Sequence, residues 1–226
     1  MNLGGGWAGM WLAAVLGLGM SLILNLSADR LPRGAQVRAF GSSRVLRWVV
    51  LVVIETWLCV SLQARHGWDA SFLRLLMFCS LLLLIAAIDL EHRLVLDVLV
   101  GPGLALAVLL SALWGEPRLV SALEGAALGG GIFLVLALVG GRALGMGDVK
   151  LALLIGMMTG FPWVLEALTL GIVLAGAAAG LLVFGRVRGL KDYIPYAPYL
   201  VVGGLATLLH GQRMWAWYLR LARGRG

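Results

Sequence analysis

Long apolar runs separated by short polar stretches dominate this chain. The run from Leu81 to Ile88 is one example, and similar runs recur with Gly, Pro and charged residues between them. A helix that crosses a bilayer needs about 20 mostly apolar residues, because the helix must satisfy its own backbone polar groups. The pattern predicts eight such segments, at residues 7–26, 46–63, 70–88, 97–114, 119–140, 149–161, 163–184 and 194–210.

The sixth segment differs from the other seven in length. Residues 149–161 are few for a full crossing, so the segment is tilted, re-entrant or continuous with its neighbour through Pro162. The whole pattern predicts an all-α fold, a polytopic membrane helical bundle of about eight transmembrane helices. We expect these helices to form a single integral membrane domain over residues 1–226.

Composition and charge agree with a membrane protein. Hydrophobic residues make up 61% of the chain, charged residues 13%, and the mean hydropathy is +0.97. These values lie outside the range of soluble domains. The net charge of +7 comes mostly from basic residues in short stretches between apolar segments. We interpret them as loops beside anionic lipid, so membrane lipid is an expected partner and nucleic acid is not.

The basic residues also predict an orientation. The loops after the first, third, fifth and seventh segments contain most of the internal basic residues, whereas the opposite loops contain Arg65, Arg74 and Arg118. The positive-inside tendency places the first group of loops in the cytoplasm. Arginines after the last segment oppose this count, and an odd number of spans or an interfacial helix would explain them.

Two acids stand at the ends of predicted spans. Asp89 closes the third segment and Asp148 precedes the sixth, so two crossings return the chain to the same face. An ionisable group at membrane depth costs on the order of 2.5 to 3.5 kcal/mol on insertion scales, and such groups usually serve function. Two close carboxylates share a proton and supply both a base and an acid, as in aspartic peptidases.

Several neighbours fit this chemistry. Gly145 and Gly147 lack a Cβ, which allows a sharp turn and close approach of a substrate strand to the acid. Lys150 would favour ionisation of a nearby acid, and Asp97 would stabilise a helix N-terminus or act directly in the site. A structural alternative remains open, because acids at span ends also cap helices and a Gly-x-Gly-Asp quartet is short.

Four ordered stretches carry a resemblance to the type IV prepilin peptidases, which are intramembrane aspartic peptidases of the Gly-x-Gly-Asp type. They are Leu24 to Pro32, Ala87 to Asp97, Gly145 to Leu151 and Ile194 to Tyr199. In the second stretch Leu96 replaces the family's usual proline. The resemblance implies that Asp89 and Asp148 are the catalytic acids.

The resemblance also marks a candidate region for substrate binding or a second activity. Asn25, Arg30 and Pro32 match the family's N-terminal pattern in spacing. Glu55 joins this region as an acid inside the second span, where it should face the bundle interior or a hydrated cavity. It would contact a positive group of the substrate or pair internally.

The function implied by the resemblance is that of an aspartic endopeptidase, a hydrolase. Relatives remove the basic leader of prepilins or type II secretion pseudopilins at the cytoplasmic face of the bacterial inner membrane, and many also methylate the new N-terminus. We therefore expect a prepilin or pseudopilin substrate, a multi-pass inner-membrane location and an active site facing the cytoplasm. No oligomeric state is predicted.

Cysteine usage separates this chain from many of those relatives, which have Cys-x-x-Cys pairs in a long first cytoplasmic loop. Here the loop at residues 27–45 is short and contains no cysteine, and Cys59 and Cys79 lie within apolar runs. Zinc and other metals are therefore not expected. Proteolysis needs no cofactor, and S-adenosylmethionine is expected only if methyl transfer is retained.

Other functions compete with the peptidase. A proton- or cation-coupled transporter would also use intramembrane acids. A catalytically silent scaffold for pilin-like helices would keep the binding groove without turnover. Resemblance to the presenilin and signal peptide peptidase class is weaker, since Ile88 and not tyrosine precedes Asp89 and no Pro-Ala-Leu stretch occurs.

Overall fold

The structure is a computed structural model that describes residues 3–32, 44–140, 144–184 and 196–222. These residues form eight helices joined by short connections, with no strand among them. The chain divides into two compact units, Met1–Leu94 and Val95–Gly226, here called unit 1 and unit 2. The single domain over residues 1–226 stays a prediction.

Unit 1 consists of three helices, α1 (Leu3–Arg30), α2 (Arg44–His66) and α3 (Ala70–His92). A Cβ added at Gly17 of α1 would lie 2.7 Å from the Cα of Thr56 in α2, so the two helices pack backbone against backbone. Helix α3 begins where the Asp69 carboxylate accepts a hydrogen bond from the Phe72 N–H at 2.8 Å. Such a side-chain cap satisfies one of the free N–H groups of a helix start.

The loop predicted at residues 27–45 is too long, because α1 continues to Arg30 and α2 begins at Arg44. The N–H of Leu31 still donates to the carbonyl of Ser27, at 2.9 Å, in the helical pattern. Asp29 and Arg30 are therefore helical, not loop residues. Residues 33–43 of the predicted loop lie outside the described residues.

Unit 2 consists of five helices: α4 (Asp97–Trp114), α5 (Leu119–Gly140), α6 (Met146–Thr159), α7 (Trp163–Phe184) and α8 (Ala197–Ala222). Helix α6 packs against the other four, and most of its side chains are buried. Residues such as Leu151, Leu154 and Ile155 are fully buried. A helix that is apolar all round is suited to this surrounded position.

Glycines set the spacing between α5 and α6. A Cβ at Gly156 would lie 2.1 Å from the carbonyl oxygen of Gly125, and a Cβ at Gly129 would lie 2.6 Å from that of Ala152. No side chain fits at these distances, so the two backbones are in direct contact. Small residues permit this close packing in membrane helices.

The predicted all-α polytopic bundle is confirmed, since each of the eight apolar segments coincides with a helix. Within the described ranges, six helices are long and apolar enough to cross a membrane, namely α1 to α5 and α7. The 14 residues of α6 rise about 21 Å, less than the hydrocarbon thickness of about 30 Å. The apolar part of α8 is Ala197–Gly211, and residues 194–195 of the eighth predicted segment lie outside the described residues.

Candidate active site

Asp148 lies in the first turn of α6, and its surface is 5% exposed. The N–H of Gly145 donates to its Oδ2 at 3.1 Å, while the N–H of Asp148 donates to the carbonyl of Gly145, also at 3.1 Å. This reciprocal pair closes the start of the helix. A carboxylate is favoured there, because free N–H groups give a helix start partial positive charge.

Burial controls the protonation of Asp148. Removal from water disfavours the charged form and raises the pKa of Asp148, while the hydrogen bond from Gly145 opposes this shift to a smaller extent. Asp148 lies outside the membrane-spanning segments, because it precedes the predicted segment 149–161 and α6 is not among the helices long enough to cross a membrane. A carboxyl that holds its proton more tightly than usual is suited to act as an acid.

Tyr196 also belongs to the surroundings of Asp148, and the sequence analysis assigned it no role. It immediately precedes α8 and lies within electrostatic range of the Asp148 carboxylate. Its ring packs edge-on against Phe133 of α5, with 6.1 Å between ring centroids. The predicted match Ile194 to Tyr199 includes this tyrosine, whereas Ile194 and Pro195 lie outside the described residues.

The register of α5 against α6 shows how far Asp148 lies from the C-terminal end of α5. Gly125 lies opposite Gly156, and Gly129 lies opposite Ala152, so the helices are antiparallel and Asp148 falls at the level of Phe133. Helix α5 continues from there to Gly140, a rise of about 10 Å. The carboxyl is therefore recessed from the end of α5.

Lys150 and Asp97 form an ion pair that joins the starts of α6 and α4. The Lys150 Nζ lies 2.6 Å from the Asp97 Oδ1, and the two side chains are 43% and 72% exposed. Exposed pairs like this one are screened by water and contribute little stability. Lys150 thus has a defined acidic partner, which is Asp97.

The two glycines before Asp148 differ in their surroundings. A Cβ at Gly147 would lie 3.0 Å from the Cβ of Val95, so this position is crowded. Gly145 has φ −87° and ψ 154°, an extended conformation open to any residue. The backbone of Gly145 therefore does not require glycine, and the predicted roles of the two glycines, a sharp turn and close approach of a substrate strand, stay predictions.

Asp89 lies in the last turns of α3 in unit 1 and is 6% exposed. The helix ends at Arg93, whose backbone is left-handed (φ 54°) and whose N–H donates to the carbonyl of Asp89 at 2.8 Å. This is a common way to end a helix. The catalytic roles of Asp89 and Asp148, and their pairing, stay predictions.

A charged cluster near Asp89 was not predicted as part of the site. Arg47 of α2 bonds to Asp29 at the end of α1 and, at 2.5 Å, to Glu91 at the end of α3. Glu91 lies between the predicted segments 70–88 and 97–114, but it belongs to the last turn of α3. The signal in the sequence was the placement of acids at helix C-termini, where they are unfavourable.

The residues predicted as a substrate or second-activity region occupy two levels of unit 1. Asn25 is fully buried and donates to the carbonyl of Ser21 at 3.0 Å, while Arg30 and Pro32 follow at the more exposed end of α1. Glu55 is also fully buried and accepts a hydrogen bond from Ser80 of α3.

The level of Glu55 follows from the packing of α1 on α2. A Cβ at Gly17 would lie 3.2 Å from the carbonyl of Glu55, about 12 Å along α1 from Asn25. The structure therefore does not bring Glu55 to the end of unit 1 at which Arg30 and Pro32 lie. Of the two predicted roles for Glu55, internal pairing fits this position.

Metal ligands were not expected, and within the described ranges no group of three or more His, Cys, Asp or Glu side chains is arranged to hold an ion. Cys59 and Cys79 are both buried, free thiols. Small buried cysteines of this kind pack as apolar residues.

Comparison with known proteins identifies the central part of the chain. Residues 76–181, which include Asp89, Asp148 and all of α4 to α6, match the type IV leader peptidase family. This segment belongs to that family. The leader peptidase segment therefore begins within α3 and ends within α7, and it contains both predicted acids.

Curated relatives extend the similarity beyond the leader peptidase segment. The chain is 34% identical over 183 residues to a prepilin leader peptidase/N-methyltransferase of Pseudomonas aeruginosa, which covers 76% of the chain and 61% of the relative. A protein of the same name from Stutzerimonas stutzeri is 32% identical over 166 residues, 70% of the chain and 55% of the relative. One from Bacillus subtilis is 29% identical over 168 residues, which covers 71% of the chain and 64% of the relative.

The chain thus spans little more than half the length of the first two relatives. No solved structure matches the leader peptidase segment or the rest of the chain. The comparisons give no support to the alternative of a transporter. Together with six apolar helices of spanning length, they indicate a multi-pass inner-membrane protein.

Proposed function

We propose that the protein is an intramembrane aspartic endopeptidase. Its substrates are type IV prepilins or type II secretion pseudopilins, and it removes their basic leader at the cytoplasmic face of the inner membrane. One observation carries the proposal: a buried carboxyl with a raised pKa, Asp148, begins the enclosed helix α6 inside the segment that matches leader peptidases.

The proposed chemistry uses one water and two carboxyls. Asp89, in its deprotonated form, takes a proton from water as the oxygen attacks the peptide carbonyl carbon. Asp148, protonated, donates to the carbonyl oxygen, which gives a tetrahedral diol. Collapse of the diol breaks the C–N bond, and the leaving nitrogen takes a proton from Asp89. A proton from the diol restores Asp148, so one water is consumed.

The assignment of roles rests on the surroundings of Asp148. Burial disfavours the ionised form of Asp148 and raises its pKa, so we assign it the proton that the pair shares. Asp89, the other carboxyl of the proposed pair, then takes the role of base. The orientation toward the cytoplasm is supported by the basic residues of the loops on that side.

A mass measurement tests the proposal. The full chain and a leader-bearing prepilin would be reconstituted in the same vesicles, and the products would be followed by intact mass. We expect two fragments whose masses add up to the substrate plus one water. The double variant Asp89→Asn/Asp148→Asn supplies the blank, and cleavage by this variant would exclude the two acids as the catalytic pair.

N-methylation is a second candidate activity, favoured by the name of the curated relatives. The same assay with S-adenosylmethionine tests it. Methyl transfer replaces a hydrogen of the new N-terminus by a methyl group, so it would add the mass of one CH2 to the mature fragment and leave the leader unchanged. A mature fragment of unaltered mass would exclude the second activity and leave the peptidase proposal intact.

The pH dependence of cleavage follows from the pKa of Asp148. Because this pKa is raised and the protonated form is the acid, activity is present while Asp148 holds its proton and falls as the pH rises through its pKa. We expect the alkaline limb of kcat above the ordinary range for an aspartic acid. A profile whose alkaline limb lies within that ordinary range would contradict the assignment of Asp148 as the acid.

A further inference from the structure

Three charged residues meet at one end of unit 1. The guanidinium of Arg47 lies between the last turns of α1 and α3, where Nη2 bonds to the Oδ1 of Asp29 and Nη1 to the Oε2 of Glu91. Its side chain is 7% exposed, whereas those of Asp29 and Glu91 are 29% and 22% exposed. A single buried cation thus joins three helices through two separate carboxylates.

Each of these residues is at the unfavourable end of its helix. Asp29 and Glu91 are in the last turns of α1 and α3, next to free carbonyl groups, and Arg47 is in the first turn of α2, next to free N–H groups. The helix dipole disfavours each placement when the residue is taken singly. Helix stability therefore does not account for the three charges.

The hydrogen bonds of the cluster are also incomplete. Within the described residues, the buried Nε of Arg47 has no hydrogen-bond partner. Buried ion pairs of this kind are often no more stable than apolar residues of similar size. In some proteins, buried ionic groups fix a particular arrangement of the groups they join, and this is the role that we consider here.

What the cluster fixes is the turn that holds Asp89. Glu91 is two residues beyond Asp89, and the carbonyl of Asp89 accepts the hydrogen bond that closes the helix at Arg93. The backbone of this turn is therefore held at the Arg93 cap and through the Glu91 side chain. Arginine suits the second contact, because its planar fork offers separate donors in fixed directions.

We propose that Arg47 is a positioning residue that holds the last turn of α3, and with it the carboxylate of Asp89, in the geometry that cleavage requires. This inference rests on the peptidase function proposed above. Arg47 acts through Glu91 and is braced by Asp29. A displacement of about 1 Å at a reacting group can lower a rate about 100-fold, so a modest shift of this turn is enough to affect turnover.

The first test compares Arg47→Met with Arg44→Met in the reconstituted cleavage assay. Arg44 is at the start of the same helix but is exposed, so its substitution removes the same charge without touching the cluster. We expect kcat to fall about 10- to 100-fold in Arg47→Met, with KM within about twofold, and neither to change in Arg44→Met. Arg47→Lys keeps the charge but loses the fork, and should fall between the two.

A second variant separates positioning from stability. Arg47→Met leaves the carboxylates of Asp29 and Glu91 without the guanidinium that both of them bind, whereas Asp29→Asn/Arg47→Met/Glu91→Gln removes all three charges and should unfold near the wild-type temperature. We expect its kcat to remain at least about tenfold low. Wild-type kcat in this triple variant, or a loss confined to KM, would overturn the inference.

The variant Asp89→Asn keeps the two proposals distinguishable. If Asp89→Asn still cleaves the prepilin, the proposed peptidase mechanism fails, whatever Arg47 does. If Asp89→Asn is inactive and Arg47→Met turns over at the wild-type rate, only the positioning role fails. Folding of each variant would be checked by helical circular dichroism in the same vesicles.

Discussion

Asp148→Asn should reduce cleavage at least about 1,000-fold, because an amide neither donates the proton that the carbonyl oxygen requires nor takes it back. The substitution is nearly isosteric, and the N–H of Gly145 retains an oxygen acceptor in the asparagine amide. The start of α6 should therefore be preserved. Initial rates on a leader-bearing prepilin, measured over a thousandfold range of enzyme concentration, would reveal a loss of this size.

Glu124→Gln is the matched control for this loss. It removes a carboxylate of the same unit, but one that is exposed on α5. The register of α5 on α6 places Glu124 at the level of Met157, about 14 Å along α6 from Asp148, so its cleavage rate should stay within about threefold of the wild type. Retention of more than a tenth of the wild-type rate by Asp148→Asn would contradict the role given to Asp148.

Asp148→Asn should lower the cleavage rate but raise the free energy of unfolding at neutral pH. A carboxyl whose pKa is raised in the folded state contributes stability that is fully present below its unfolded pKa and is lost as the pH rises through the folded pKa. Relative to Asp148→Asn, the wild type should therefore unfold more easily at neutral pH than at acidic pH. Unfolding followed by tryptophan fluorescence at several pH values would show whether the difference has this sign.

Gly125→Ala should be one of the most damaging additions of a single methyl group in unit 2. A Cβ there would lie 2.3 Å from the carbonyl oxygen of Gly156 and 2.9 Å from the backbone of Gly160. Backbone atoms cannot turn away as a flexible side chain does, so α5 and α6 must separate. We expect a loss of at least about 3 kcal/mol in the free energy of unfolding, the upper range for overpacked cores.

Gly131→Ala provides the comparison on the same helix. Its added Cβ would meet no heavy atom within 4 Å, and alanine favours helix over glycine by roughly 0.5 to 1 kcal/mol. It should therefore be neutral or slightly stabilising. Denaturant titrations followed by circular dichroism in micelles would measure both variants, and equal midpoints would show that the close approach of α5 and α6 is not limiting.

Much of the fold was accessible from the sequence because hydrophobicity alone determines which segments become helices in a membrane. The eight apolar segments coincide with the eight described helices, and the short sixth segment was already distinct. The ends were less predictable. Asp29 and Glu91 look like loop residues by charge, yet both lie in the last turns of helices, where each of them bonds to Arg47.

The site was predictable to the extent that its residues are local in sequence. Gly145 and Asp148 are three residues apart, and the structure joins them in one hydrogen-bonded turn. Tyr196 and Arg47 were not found, because their relation to the acids depends on helix packing across long sequence separations. The contact of Lys150 with Asp97 was hidden for the same reason, since the two residues are 53 positions apart.

The offset of about 10 Å between Asp148 and the end of α5 limits the backbone conformation in which a substrate's peptide bond can reach Asp148. An extended strand advances about 3.3 Å per residue, so about three residues bridge that depth. In an intact α-helix, every carbonyl before the last turn is engaged in an internal hydrogen bond and is not open to attack by water. For a peptidase built in this way, the scissile bond must lie in a short unwound stretch, and local helix melting in the substrate becomes a determinant of selectivity.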